Sequence, residues 1–255
     1  MPINFTQIFH NSWNFVRNEK QFTLSFLVIF ALTLLLVNHL TREFLAPVMD
    51  KISQADNSEL ESLLQQGQQS KGALSYLFNQ FLVLLVSSWG IIHIHRISQR
   101  NTPNLIGSFA VVLSKLAGIV ILNVLIMLPM LAAMANLLPL MLSGSGAVSI
   151  ALIAVILGIF IYVRLCLAPL SYFIGNKPIM QAIPYFWRIG NKRTGTLLIY
   201  CLIVQFFLPF VSMQFSFLGQ MNILLEIISI LAISFINLFT LVITYRFYTL
   251  FIQNP

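Results

Sequence analysis

Six apolar runs, at 22–40, 73–94, 116–138, 148–173, 196–217 and 223–245, leave this chain few ways to fold in water. Each is long enough to cross a hydrocarbon core, which takes about 20 helical residues at about 1.5 Å per residue. Inside that core the backbone has only itself to bond, so each run is expected as a helix. Composition agrees, with 58% hydrophobic and 8% charged residues against about a quarter charged in soluble domains. The chain is read as all-α: a polytopic membrane protein with six transmembrane helices, forming one integral membrane domain over 1–255. A separate soluble domain would need a polar stretch that this sequence lacks. The run at 22–40 is expected to stay in place, because no small-residue cleavage site follows it.

The net charge is +7, yet the bases sit in short segments flanking apolar runs, as membrane orientation requires, so no nucleic-acid partner is expected. Of 14 Lys and Arg, three fall in the long polar connection at 42–72, Arg164 lies inside a run, and ten collect on the other side. The positive-inside rule then makes that side cytoplasmic, both termini included, and the 42–72 loop periplasmic. Within this loop Asp56 and Glu59 fit a capping box, and Leu60, Leu63 and Leu64 form an apolar stripe closed by Gly67, which predicts a short amphipathic helix from Asp56 to Gly67.

Three amphipathic segments with basic edges precede the odd-numbered runs: 3–20, 104–115 and 178–193. In the first, Phe5, Ile8, Phe9, Trp13 and Val16 share a helical face, the signature of an interfacial helix. Trp13 and Trp187 each stand nine residues ahead of their runs, at Phe22 and Thr196. A threefold repeat of interfacial helix plus transmembrane hairpin would explain this pattern, and so would the ordinary enrichment of Trp and Lys at headgroups. Pro184 predicts an interruption of the third segment.

Two groups of residues are candidate sites. Arg164, Pro169 and Gln205 form a candidate intramembrane polar site. An arginine deep in a span must face the bundle or snorkel to the headgroups. Pro169 withholds a donor from the Leu165 carbonyl, and Pro209 does the same to Gln205. Trp187, Arg188, Lys192 and Arg193 form a candidate contact for anionic lipid. Ala147, Ala151, Ala154 and Gly158 line one face, where a second helix can approach closely. Cys166 and Cys201 lie in apolar runs without metal-ligand spacing and read as small packing residues. His93 and His95, two apart, point to different sides of a helix and cannot share a metal.

No catalytic constellation emerges. Arg164 and Glu226 are the charges inside the runs, and they lie toward opposite faces of the bilayer. HExxH, a phosphate loop and a suitably placed GxSxG are all missing. The expectation is a protein that is not an enzyme and takes no cofactor or metal. Two classes remain: a non-catalytic factor acting through anionic phospholipid or other membrane proteins, and a transporter or facilitator for a neutral or amphiphilic molecule. Pro129, Pro169 and Pro209, with Asn123, Asn136, Gln205 and Asn237, favour the second. The scarcity of intramembrane charge weighs against an ion-coupled carrier.

The stretches NSWNFVRNEKQF at 11–22, DNSELESLLQQ at 56–66 and LAPLSYFIGNKPIMQAIPYFWRIGNK at 167–192 resemble the YciC family of uncharacterised inner-membrane proteins of Gram-negative bacteria, nearly end to end. The resemblance implies a multi-pass protein of the bacterial inner membrane linked to envelope integrity, with no active site to carry over. That link favours the non-catalytic factor.

Overall fold

The computed structural model describes the backbone of residues 3–54, 73–100, 104–143, 148–175, 178–191 and 193–253, with the side chains of 41–54, 73–76, 136–143 and Val148 left aside. Among the described residues there are ten α-helices, one π-helical segment and no strand. In chain order the α-helices are α1 (Phe5–Asn18), α2 (Lys20–Gln54), α3 (Ala73–Ser98), α4 (Leu105–Ser143), α5 (Val148–Leu165), α6 (Ala168–Phe173), α7 (Ile179–Gly190), α8 (Thr194–Cys201), α9 (Leu208–Gly219) and α10 (Ile223–Gln253). The π segment, Leu202–Phe207, joins α8 to α9.

Among the described residues, six stretches are long and apolar enough to cross a membrane: Lys20–Leu40, Leu77–Ser98, Leu105–Ala135, Ser149–Phe173, Thr194–Gly219 and Ile223–Gln253. Protein covers few of their residues, from 17% in the first to 44% in the last. Leu24, Ile106, Phe206 and Leu224 are all more than half exposed. Water tolerates no apolar surface of that extent, so lipid is what covers it.

Four features differ from the reading by hydropathy. The segment at 104–115 is no separate interfacial helix but the first turns of α4. Asn104 caps it, its Oδ1 accepting the Gly107 N–H at 3.2 Å, and no proline or glycine pair interrupts the helix further on. The proposed repeat therefore has a separate leading helix in α1 and α7 alone. Secondly, α2 continues past Arg42 to Gln54, because polar side chains end an apolar run without ending a helix. The helix expected at 56–67 lies outside the described residues. Thirdly, the span at 148–173 is broken rather than kinked: α5 ends at Leu165, Cys166 and Leu167 form a turn, and α6 starts with Pro169 in its first turn, where its missing N–H costs nothing. Finally, Pro184 does not interrupt α7. The carbonyl it leaves without a donor belongs to Met180, which is 85% exposed and so open to other partners.

The fifth span responds to Pro209 differently. Lacking an N–H at 209, the chain widens upstream into a π turn, seen in the Leu208 N–H bonding to the Ile203 carbonyl five residues back.

The chain divides into two units by its internal contacts: 1–11, 92–210 and 243–255 in the first, 12–91 and 211–242 in the second. In the first, α4 packs most extensively on α5, and α7 rests on α5 and α6. Gly158 permits the α4–α5 approach, since a Cβ there would lie 2.8 Å from the Met130 Cα. Of the small-residue face expected from 147, 151, 154 and 158, Ala151 and Gly158 are buried, Ala154 is exposed, and Ala147 lies outside the described residues. Phe186, Phe247 and Phe251 are fully buried, and Tyr200 stacks on Phe247 at 4.3 Å. In the second unit the core is aromatic along α2: Phe22 meets Phe26 at 4.8 Å, and Phe26 meets Trp89 edge-on at 5.4 Å. Trp13 packs edge-on against Phe235 and Phe239.

Candidate functional site

Helix α7 lies across the first unit with two faces of opposite character. Ala182, Phe186 and Gly190, at steps of four, are buried. Phe186 stacks on Tyr248 and Phe251 of α10, at 6.3 and 6.4 Å. Gly190 lies close to α8, since a Cβ there would come within 3.2 Å of the Leu197 side chain. The opposite face, again at steps of four, carries Met180, Pro184 and Arg188, all exposed, with Gln181 beside them. An α-helix places residues four apart on one stripe, so this pattern is the amphipathic reading of 178–193 in three dimensions.

Arg164 holds this helix in place. It is 6% exposed, one residue before the end of α5, and its guanidinium donates through Nη2 to Asn191 Oδ1 just past α7. The same guanidinium lies 4.9 Å from the Phe160 ring centroid and 4.7 Å from that of Trp187. Its Nε has no hydrogen-bond partner among the described residues. An arginine in a span costs about 2.5–3.5 kcal/mol on insertion scales. A hydrogen bond to a charged group returns about 1.5–3 kcal/mol, and cation–π contacts about 0.5–2 kcal/mol each. These contacts offset the cost, and the arginine becomes a clamp between α5 and α7.

The sequence-derived groups are thus redistributed. Arg164 and Trp187, assigned to different groups by sequence, touch one another. Pro169 is buried at the start of α6. Gln205 is exposed and lines an apolar groove of about 470 Å³ with Met127, Met130, Tyr162, Cys201 and Phe206, and Arg164 is not among the groove's lining residues. In the second group, Arg188 is exposed and Trp187 is 41% exposed, while the Arg193 guanidinium lies 5.8 Å from the Phe251 ring. Lys192 lies outside the described residues.

Several polar contacts in the first unit were not foreseen. Lys115 Nζ donates to the Phe173 carbonyl at 3.2 Å, capping the last residue of α6, where a cation is favoured. His93 Nδ1 pairs with Ser108 Oγ, and His95 Nδ1 with the Tyr245 hydroxyl, both at 3.1 Å. Both cysteines are free thiols, and the Cys166 thiol donates to the Val163 carbonyl at 3.2 Å. Asn123 bonds back to the Ile119 carbonyl of its own helix rather than across to another. Neither histidine belongs to any cluster of metal-ligating side chains among the described residues.

Six apolar spans, with a basic amphipathic helix clamped against the fourth, define an all-helical, polytopic membrane protein. A curated protein of Haemophilus influenzae, described as an uncharacterized protein, is 31% identical over 258 residues, with all of both chains covered. The chain belongs to the same family as that Haemophilus protein. No protein-family model and no solved structure matches it.

Proposed function

We propose that this protein is a non-enzymatic factor of the bacterial inner membrane, acting on envelope integrity through contacts with lipid or with other membrane proteins made by the exposed face of α7. The supporting observation is the division of α7 into a buried face at 182, 186 and 190 and an exposed face at 180, 184 and 188. Arg188 brings positive charge to that face, and Met180 and Trp187 bring apolar surface beside it. Such a face suits an anionic phospholipid, with the base contributing about 1 kcal/mol near a charged surface. The distribution of bases supports cytoplasmic termini, and membership of the YciC family is part of the same proposal.

The test is extraction of the protein with its surrounding bilayer and mass spectrometry of the retained lipids and proteins, beside a six-span control. Enrichment of an anionic lipid or a specific partner, reduced by Arg188→Gln with Met180→Ser, is the expected result. A profile equal to the control's would overturn the reading. Reporter fusions at either terminus test the orientation.

A further inference from the structure

The fifth span exposes a polar side chain at a depth where lipid has nothing to offer it. Gln205 lies in the π segment of the span Thr194–Gly219, roughly 16 Å from one end and 21 Å from the other at about 1.5 Å per residue. Neither headgroups nor water come within reach of its side chain. It is exposed, and it makes no side-chain hydrogen bond among the described residues. Because residue 209 is proline, the Gln205 carbonyl also lacks its usual helical donor. Hydrocarbon supplies neither donors nor acceptors, and a polar group left in it without a partner is costly. Beside Gln205 runs the apolar groove of about 470 Å³, walled by Met127 and Met130 of α4, Ile159 of α5, and Leu198, Leu202 and Phe206 of the fifth span. The last three follow one another at steps of four and are exposed, Phe206 most of all.

We infer that this face pairs with a second copy of the chain, the two Gln205 amides bonding to one another across a two-fold axis along the membrane normal. A primary amide carries both an acceptor oxygen and an NH2 donor, so a second amide satisfies it reciprocally. Depth selects the partner. The charge distribution inserts every copy in one orientation, and such an axis brings position 205 opposite position 205 at equal depth. Polar side chains inside apolar spans join membrane helices in this way. The exposed Phe206 ring, next to the axis, then has the groove of the other copy to enter. An acyl chain fills the groove but gives the amide nothing, and lipid headgroups lie too far away. The inference rests on Gln205 and its groove, not on the exposed face of α7.

The test uses the full chain, labelled with donor or acceptor dye at a C-terminal tag, in native membrane vesicles that keep the orientation of insertion. Fusing the vesicles with added lipid dilutes the protein stepwise while energy transfer is followed, beside a six-span control. Transfer should fall along a two-body dissociation curve. Gln205→Leu should raise the midpoint density about fivefold or more, the loss of two interhelical hydrogen bonds. Gln205→Asn keeps the amide and should recover part of that shift. Phe206→Ala should raise the midpoint as well, and carries the same test if Gln205→Leu does not fold. Transfer no greater than the control's at every density, or a midpoint that the variants leave unchanged, would overturn the inference. So would a monomer that retains a lipid-soluble molecule, detected by mass spectrometry and lost in Gln205→Leu, because the groove would then belong to that ligand. None of these results bears on the Arg188 experiment.

Discussion

If Arg164 is a clamp, its partner should matter more than the arginine itself. Asn191→Ala removes the acceptor of the Nη2 bond but leaves the guanidinium in place. A hydrogen bond to a charged group is worth about 1.5–3 kcal/mol, and because Asn191 is exposed, so that water replaces part of the lost acceptor, we take the lower end, about 1.5 kcal/mol. Arg164→Leu loses the same bond and both ring contacts, but also removes the insertion cost of about 2.5–3.5 kcal/mol, so it should lie within about 1.5 kcal/mol of the parent. In the Arg164→Leu background, Asn191→Ala should then cost under about 0.5 kcal/mol, leaving a coupling of about 1 kcal/mol or more. Reversible unfolding in mixed detergent micelles, followed by tryptophan fluorescence and repeated for all four proteins, measures each corner of that cycle. Additivity within error would refute the clamp, and Arg164 would then be an anchor that happens to lie near Asn191.

Other consequences can be tested in the same assay. Gly158→Val should destabilise by about 1–3 kcal/mol through overpacking against the α4 backbone at Met130, whereas Gly195→Ala, with open space around the position, should change little. Lys115→Met should cost about 1–3 kcal/mol by stripping the Phe173 carbonyl of a charged donor, and the amides of α6 should then exchange hydrogen faster. Tyr200→Phe breaks the buried bond to Thr244 Oγ1, 3.1 Å long, and should cost about 1 kcal/mol. Pro209→Ala restores a donor for the Gln205 carbonyl. The π segment should tighten to an α-helix, seen as new amide protection at 209 and a changed cross-linking pattern for cysteines placed after it.

Hydropathy located the six spans because each is an uninterrupted local property of the chain, and the faces of α1 and α7 were legible for the same reason, through their steps of three and four. Continuity was harder to read. Nothing in the apolar pattern separates an interfacial helix at 104–115 from the first turns of α4, since the difference lies in Asn104 capping the start and Lys115 finding the Phe173 carbonyl. The three prolines at 129, 169 and 209 announced irregularity without its form. Pro129 sits inside a continuous α4, Pro169 begins a new helix, and Pro209 widens the helix before it. The Arg164 cluster was half visible: Phe160 is four residues back on the same helix, but Asn191 and Trp187 arrive from across a helix break and a loop. Glu226 was read as one isolated charge, because Asn38, which lines a cavity of the second unit together with it, is remote in the chain.

The widened turn before Pro209 bears on how this family tolerates changes in length. Each residue of an α-helix advances the azimuth by about 100°, so losing one from α8 or α9 would swing every later side chain on that span to a different face. At 202–207 the helix already holds more residue than an α turn needs, and a single deletion there could be absorbed by the turn narrowing. Relatives differing by one residue in this span should carry the change in that window, and should have lost the proline that follows it.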